Sequence, residues 1–254
     1  MENNIRLTIG IATYNRPDKL KTLIRSLYPL ITTCDLIEVV ICNDGGELGD
    51  VPKFVNSINK VRPNAIKLIN RKENKGIYYT RYELLSNASG RWYLSCDDDD
   101  LLDIFTVKNM LTSHCHNYNY MVQIFNLVEF YHNLKDGSTF IKDMHQYYSA
   151  NPARKIVVGL SGSILNMDWI RHKLPMYGEF ISSLVPDKNI GEDQILIRFF
   201  FDGKPSVKIN PETLYLADYS KSDEHMMLTN MKENTIDNLK SIKTYIPNTI
   251  ANGE

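Results

Sequence analysis

The sequence has no long apolar run and few cysteines. A membrane-spanning helix needs about 18 or more consecutive apolar residues, and the 254-residue chain contains no such run. The first residues, Met1 to Arg6, lack the basic and apolar regions of a signal peptide. The four cysteines are scattered and form no C-x-x-C pair, which favours free thiols over a disulfide framework. We therefore expect a protein of the reducing cytoplasm.

An excess of charge of either sign is also missing. The formal net charge is −1 and the pI is near 6.6, so no overall field attracts the chain to nucleic acid or anionic lipid. The composition, 43% hydrophobic and 23% charged, is ordinary for a globular protein. We expect no nucleic-acid partner and a length sufficient to bury a full core.

Short apolar segments alternate with helical patterns over the first ~115 residues, a span that fits several β-α units. Predicted strands cover Leu7–Thr13, Asp35–Cys42, Ile66–Ile69 and Trp92–Cys96. Predicted helices cover Pro17 to about Leu27, about Val51–Ile58, Tyr78–Ser86 with Gly90 as C-cap, and about Leu102–Cys115. This alternation predicts a parallel, doubly wound sheet with right-handed crossovers.

Polar clusters follow three of these predicted strands. They are Thr13-Tyr14-Asn15, Asn43-Asp44 and Asp97 to Asp100. In doubly wound sheets, ligands bind beyond the carboxyl ends of the strands. We therefore predict that the three clusters converge on one binding site.

The four consecutive aspartates, Asp97 to Asp100, form the densest charge cluster of the sequence. Like charges ~4 Å apart repel by roughly 1 kcal/mol per pair even in water. A solvated acidic loop is one interpretation, with Asp100 capping the next helix. Because the run ends a buried strand, we favour a site for a hard divalent cation with oxygen ligands.

The second half has a less regular pattern. Predicted strands cover Met121–Phe130, Lys155–Leu165, Ser206–Ile209 and Thr213–Tyr219, with a hairpin turn at Leu134–Thr139. Asp168 is the expected cap of a short helix containing Trp169, Met176–Ile190 is a predicted mobile loop, and Gly191–Gln194 open a helix over Ile195–Phe201. Thr229–Thr244 is a predicted terminal amphipathic helix.

The motifs between residue 8 and about residue 200 together resemble the inverting GT-A glycosyltransferases of family 2. They are Thr8-Ile-Gly-Ile-Ala-Thr-Tyr-Asn-Arg-Pro17, Val40-Ile-Cys-Asn-Asp-Gly-Gly46, Asn74-Lys-Gly76 with Arg81, Gly90-Arg-Trp-Tyr-Leu-Ser-Cys-Asp-Asp-Asp-Asp100 and Gly191-Glu-Asp-Gln194. Thr80-Arg81-Tyr82 resembles the nucleotide-binding half of bacterial members that use UDP- or dTDP-sugars. The resemblance implies a single GT-A domain over 1–254. Its nucleotide-sugar half covers about 1–115, its acceptor-side half about 116–220, and a C-terminal helix and tail about 221–254.

The resemblance also implies a donor site for a nucleoside diphosphate sugar, most simply UDP-linked, with Mn²⁺ or Mg²⁺ neutralising the leaving diphosphate. Asp99 is then the direct metal ligand, and Asp97 and Asp98 face the ribose or a metal-bound water. Asp44 accepts a hydrogen bond from the base. Thr13 and Asn15 line the same pocket, and Arg81 lies near the base or diphosphate unless it is a solvated helix arginine.

Inverting transfer requires a base on the sugar face opposite the leaving group. By resemblance this base is Asp193, with Glu192 orienting the acceptor, although both acids also suit a helix N-terminus. His225 matches a C-terminal metal ligand or diphosphate contact of some relatives, or is a lone surface histidine. Trp169 and Tyr177 stack on an acceptor sugar or pack in the core.

Two other functions are compatible with the pattern. A sugar-1-phosphate nucleotidyltransferase would share the sheet, but it needs a glycine-rich loop where Thr13-Tyr14-Asn15-Arg16 stands. A catalytically silent nucleotide-sugar-binding module is less favoured because Asp99 and Asp193 are present. The expected acceptor is a glycan, a lipid-linked molecule or a small molecule, and the expected location is the cytoplasm or the inner membrane face, reached peripherally. The sequence leaves the oligomeric state open.

Overall fold

The computed structural model describes residues 5–113, 119–132, 139–143, 160–184, 192–201 and 206–218. The first half alternates strands and helices, as predicted. Its elements are β1 (Leu7–Thr13), α1 (Pro17–Thr33), β2 (Ile37–Asn43), α2 (Val51–Val61), β3 (Ile66–Asn70), α3 (Ile77–Ser86) and β4 (Trp92–Asp97).

The second half completes the sheet with strands of both directions. Its described elements are β5 (Leu101–Leu102), α4 (Ile104–Ser113), β6 (Val122–His132), β7 (Thr139–Asp143), β8 (Ser163–Asn166), α5 (Met167–Ile170), a 3-10 turn (Arg171–Lys173), α6 (Leu174–Ser182), α7 (Glu192–Phe201) and β9 (Val207–Asp218). Within the described residues, no helix is both long and apolar enough to span a lipid bilayer.

The strands form one mixed sheet with the order β3-β2-β1-β4-β8-β6-β9-β5, and β7 pairs with β6. The pairs β1–β2, β1–β4, β2–β3 and β6–β9 are parallel, whereas β8 runs antiparallel to β4 and β6. The predicted doubly wound, mostly parallel α/β fold is confirmed. The parallel order places the carboxyl ends of β1, β2 and β4 side by side.

Apolar side chains cover both faces of the sheet. Leu7, Ile9 and Ile11 of β1 pack on one face with α1, α2 and α4, while Tyr93 and Leu165 belong to the opposite layer with α3, α6 and α7. Strands covered on both faces need nearly continuous apolar runs, which explains the composition of β1 and β2. The two layers hold the strand ends in fixed positions.

Helix α1 is longer than the sequence predicted. It continues past Leu27 and through Pro29 to Thr33. A proline inside a helix costs about 3 kcal/mol or more because it removes a hydrogen bond. Leu30 and Ile31 are fully buried, and burial of such side chains contributes about 1.5–3 kcal/mol each, which is enough to offset that cost.

Three predicted helix caps were wrong. Helix α3 ends at Ser86 with Asn87 as its C-cap, so Gly90 has another role: a Cβ there would lie 2.5 Å from the Thr8 nitrogen. Helix α4 is capped by Asp103 rather than Asp100, because Asp103 Oδ1 accepts from the Thr106 amide at 3.0 Å. The short helix α5 is capped by Asn166 rather than Asp168.

The second half also departs from its prediction in two places. Residues 176–182 belong to helix α6 instead of a mobile loop, because its aromatic face packs against α7. One strand, β9, runs through Pro211 where two strands were predicted. The predicted hairpin turn at 134–138, residues 185–190 and the C-terminal helix lie outside the described residues.

Candidate active site

The three polar clusters meet in one pocket at the carboxyl edge of the parallel strands. The pocket has a volume of about 440 Å³, within the range of small-molecule sites. Its walls come from the ends of β1, β2 and β4 and from the N-termini of α3 and α7. They comprise Ala12, Thr13, Tyr14, Arg16, Asp44, Asn74, Gly76, Ile77, Thr80, Asp97, Asp98, Asp99 and Glu192.

Asp44 lies at the end of β2 and is almost fully buried. Its Oδ1 accepts from Arg71 Nη1 at 3.0 Å and from the Lys75 amide at 2.8 Å. Its Oδ2 accepts from the Gly76 amide at 2.8 Å. A carboxylate has about four acceptor positions, so Asp44 fixes the turn before α3 and keeps capacity for one further donor.

Two asparagines near Asp44 form hydrogen bonds that stabilise the loops after β1 and β2. Asn43, fully buried, donates from Nδ2 to the Gly46 carbonyl at 2.6 Å and to Asn70 Oδ1 at 2.8 Å. Asn15 has a φ of 54° and accepts at Oδ1 from the Glu47 amide at 2.9 Å. The structure therefore places Asn15 as a brace between the loops after β1 and β2, beside the pocket rather than among its lining residues.

Cationic side chains accompany the acidic run. Thr13 Oγ1 donates to Asp98 Oδ2 at 2.6 Å, and Arg16 Nη1 donates to Asp98 Oδ1 at 3.1 Å and to Asp99 Oδ2 at 2.9 Å. Lys19 Nζ also contacts Asp99 Oδ2, at 2.7 Å. The chain thus supplies positive charge of its own at this place, and metal binding stays a prediction. Within the described ranges, no group of three or more His, Cys, Asp or Glu side chains is assembled around a metal position.

Sequence reasoning missed Arg16 and Lys19. Both residues stand near the start of α1, three positions apart, so they share one face of the chain entering the helix. Nothing in the local sequence shows that this face meets the loop after β4, 80 or more residues away. Burial is the main cause that raises the pKa of Asp98, and Thr13 and Arg16 partly oppose it.

Tyr215 of β9 forms hydrogen bonds with the first and the last residue of the acidic run. Its hydroxyl donates to Asp100 Oδ2 at 2.7 Å and accepts from the Asp97 amide at 3.0 Å. Burial raises the pKa of Tyr215 well above its usual value, so the hydroxyl stays protonated as a donor. Asp100 is therefore a buried structural acceptor, and the three preceding aspartates are the ones that line the pocket.

Arg81 is buried, so its interpretation as a solvated helix arginine is wrong. Its Nη1 donates to Ser95 Oγ at 2.6 Å and its Nη2 donates to Asp97 Oδ1 at 2.8 Å. Burial lowers the pKa of Arg81, but the carboxylates of Asp97 and Glu192 outweigh it and the net shift is upward. Arg81 contacts Asp97 of the acidic run but is not among the residues that line the pocket.

The predicted base and its neighbour open helix α7. Glu192 lines the pocket, and its Oε1 lies 3.8 Å from Arg81 Nη2. Burial raises the pKa of Glu192, with Arg81 acting in the opposite direction. Asp193 follows in the first helical turn and is half-buried. The structure thus brings the α7 N-terminus to the same pocket as Asp97 to Asp99, through Glu192.

The remaining candidates have different surroundings. Tyr177 is fully buried against Phe199 and Phe200, with ring centroids 5.1 and 5.0 Å away, so acceptor stacking by Tyr177 is wrong. Trp169 is 43% exposed on α5, and its role as an acceptor contact stays a prediction. His225 lies outside the described residues.

Residues 8–162, more than half of the chain, match the model of the family described as glycosyl transferase family 2. The chain belongs to this family. No curated protein matches it in sequence. The predicted resemblance of the motifs to family 2 is thereby confirmed.

Solved structures of TarS from S. aureus share the fold of this family 2 chain. TarS 1–349 gives a TM-score of 0.64 at 14% identity, covering 96% of this chain and 66% of that chain. TarS 1–349 in complex with UDP-GlcNAc gives 0.65 at 14% identity, covering 96% and 67%. TarS 1–349 in complex with UDP gives 0.59 at 13% identity, covering 98% and 73%. The chain therefore has a GT-A-like fold and spans about two thirds of TarS 1–349.

Proposed function

We propose that the protein transfers a sugar, with inversion, from a nucleoside diphosphate sugar to a hydroxyl group of an acceptor. The observation that carries the proposal is the pocket in which Asp44, Asp97 to Asp99 and Glu192 meet at the strand ends of a family 2 chain. A UDP-sugar is the first donor to consider, because TarS 1–349, of the same fold, has been crystallised with UDP-GlcNAc.

Asp44 supports the nucleotide end of the proposed site. Its buried carboxylate already accepts three hydrogen bonds and retains one acceptor position. The imide N–H of uracil is a donor of the kind that such a carboxylate accepts. Gly76 and Thr13 line the pocket beside Asp44, so the base and ribose would lie between the ends of β1 and β2.

The donor chemistry of the acidic wall fits Mn²⁺ or Mg²⁺, since these ions prefer carboxylate oxygens. We assign direct coordination to Asp99, with Asp97 and Asp98 facing the ribose or a metal-bound water, and His225 as a further candidate ligand. When bound, a divalent ion would neutralise charge on the leaving diphosphate. Arg16 and Lys19, which hold Asp99, place additional positive charge where the diphosphate would lie.

The acceptor side is assigned to the N-terminus of α7. The acceptor oxygen forms a bond to the anomeric carbon as the bond from that carbon to the diphosphate oxygen breaks. Asp193 takes the hydroxyl proton, and the nucleoside diphosphate leaves with the bonding electrons. Glu192, which lines the pocket, orients the acceptor. A helix N-terminus is a rigid place to hold both carboxylates.

A donor panel tests the proposal. Purified protein is incubated with UDP-, dTDP-, GDP- and ADP-sugars and Mn²⁺, and release of each nucleoside diphosphate is followed with and without candidate acceptors. We expect release from one or more UDP-sugars. Asp193→Asn should lower kcat by about 100-fold or more while the donor still binds, because general-base catalysis contributes ~10²–10⁴.

Asp168→Asn is the matched control, because Asp168 is a surface acid of α5 paired with Arg91. Its rate should equal that of the parent protein. Release from no donor would refute the proposed function, and a normal rate for Asp193→Asn would refute the assignment of the base. Formation of a nucleotide sugar from a sugar 1-phosphate would instead favour a nucleotidyltransferase.

A further inference from the structure

Arg81 joins the two walls of the pocket without belonging to either. We propose that Arg81 is a positioning residue that fixes Asp97, on the donor side, relative to Glu192, on the acceptor side, and so supports catalysis without contacting the donor. The inference rests on the proposed function. It gives Arg81 a different role from the one that the resemblance implied, which was a position near the base or diphosphate.

The guanidinium of Arg81 contacts side chains from two other elements, β4 and α7. Ser95 and Asp97 are two residues apart on β4, so their side chains lie on the same face of the strand. The two Nη atoms of Arg81 follow this spacing, one to Ser95 Oγ at 2.6 Å and one to Asp97 Oδ1 at 2.8 Å. The same Nη2 lies 3.8 Å from Glu192 Oε1 on α7. One guanidinium therefore connects α3, β4 and α7.

The burial of the Arg81 guanidinium is unfavourable for the stability of the fold. Arg81 is 4% exposed, and its buried Nε has no hydrogen-bond partner among the described residues. Leaving a buried donor unpaired is unfavourable, and buried ion pairs can often be replaced by apolar side chains without loss of stability. The contacts of Arg81 thus suit a role in placing two carboxylates better than a role in stability alone.

Helix α7 has an independent anchor. Phe199 and Phe200 pack on Tyr177 of α6, and Phe180 stacks on Phe199 with centroids 5.3 Å apart. These aromatic contacts keep α7 against α6 when Arg81 is replaced. What changes is the placement of Glu192 and Asp97, which lose their shared cation. A displacement of ~1 Å in a catalytic group is enough to lower a rate by ~10²-fold.

The test uses the full chain and four variants: Arg81→Met, Arg81→Lys, Glu192→Gln and the double variant Arg81→Met/Glu192→Gln. UDP binding is measured by calorimetry, and kcat and KM are measured with the best donor of the panel. We expect Arg81→Met to lower kcat about 10- to 100-fold with the Kd for UDP within about threefold of the parent value, a split that uniform loss of binding would not give.

Two comparisons test whether the loss of kcat depends on the positive charge of Arg81 and on its contact with Glu192. Arg81→Lys keeps one cation and should restore part of kcat. Arg81→Met should lower kcat less in the Glu192→Gln background than in the parent, because residues in one network are not additive. Arg91→Met is the matched control, since Arg91 is a half-exposed arginine paired with Asp168, and should leave both constants unchanged.

Two results would overturn the role of Arg81. One is a Kd for UDP that rises in proportion to the loss of kcat/KM at constant kcat, because that would mean direct donor contact. The other is strict additivity with Glu192→Gln. If Arg81→Met does not fold, as judged by circular dichroism, Arg81→Lys and an additional double variant, Arg81→Lys/Glu192→Gln, decide by the same criteria. Absence of UDP binding and turnover in the parent protein would refute the proposed function itself. That result is distinct from the two results that would refute the role of Arg81, because those are seen only in the variants.

Discussion

At the residue scale, the aspartates that line the pocket are balanced by cations from other elements. Asp97 is held by Arg81, and Asp98 and Asp99 are held by Arg16, with Lys19 adding a second contact to Asp99. A divalent ion that binds Asp99 must therefore share its carboxylate with these cations or displace them. The resident side chains and the ion compete for the same oxygen atoms.

Replacing Lys19 should strengthen metal binding. The Lys19–Asp99 pair is partly exposed, and such pairs contribute about 0.2–1 kcal/mol. Lys19→Met removes this competitor, so we expect the Kd for Mn²⁺ to fall by up to about fivefold, measured by titration calorimetry or by the loss of the free-Mn²⁺ paramagnetic signal.

Lys21→Met is the control for this prediction, because the Lys21 ammonium contacts Asp50 on the surface, away from the pocket. It should leave the Kd for Mn²⁺ unchanged. Weaker Mn²⁺ binding in Lys19→Met, or an equal effect in Lys21→Met, would show that Lys19 does not compete with a metal at Asp99.

The same residues show how far sequence reasoning reaches. Asp44 and Asp97 to Asp99 could be predicted, because each follows an apolar strand whose end is readable from the sequence alone. The contacts of Arg16, Lys19 and Tyr215 could not, because they depend on which distant elements the fold brings together. The burial of Arg81 was equally hidden, since α3 lacks a clear separation of polar and apolar faces.

At the element scale, strand and helix types in the first half followed from periodicity, whereas helix ends depended on contacts with neighbouring strands. Gly90 illustrates the difference. It was predicted to end α3, but its amide donates to Thr8 Oγ1 at 2.8 Å, and the chain passes too close to β1 for a side chain. The position needs a glycine for close approach of two backbones rather than for a helix cap.

Gly90→Ala should therefore destabilise the protein. A Cβ at Gly90 would lie 2.5 Å from the Thr8 nitrogen and 2.7 Å from the Leu7 carbonyl carbon, both backbone atoms that cannot rotate away. Overpacking of this kind costs about 1–3 kcal/mol. We expect a loss of this size in the free energy of unfolding, measured by urea denaturation.

Gly178→Ala is the comparison for this prediction. In helix α6, its Cβ would meet only the far end of the Tyr82 side chain, at 3.0 Å or more, and alanine has the higher helix propensity. A smaller change in unfolding free energy is expected. Equal stability of Gly90→Ala and the parent protein would show that the approach of β1 is not tight.

At the scale of the whole molecule, the site exists because the strand order places the carboxyl ends of β1, β2 and β4 next to one another. A parallel, doubly wound sheet was predictable from four β-α repeats and the handedness of their connections, but the order of its strands is known only from the structure. The second half was less predictable, because its strands pair across long separations: β8 lies antiparallel between β4 and β6, and the single strand β9 replaced two predicted ones. The helix α7 reaches the pocket only through this second half.

Calorimetric titration of UDP into the parent protein is the most direct test of the central claim that this pocket binds a nucleoside diphosphate sugar. With Mn²⁺ present, we predict one UDP per chain, with a Kd in the micromolar-to-millimolar range usual for substrates. Binding should weaken when Mn²⁺ is removed or in Asp99→Asn, and should persist in Asp168→Asn. Absence of UDP binding with Mn²⁺ would contradict the claim, and equal binding by Asp99→Asn would contradict the metal assignment.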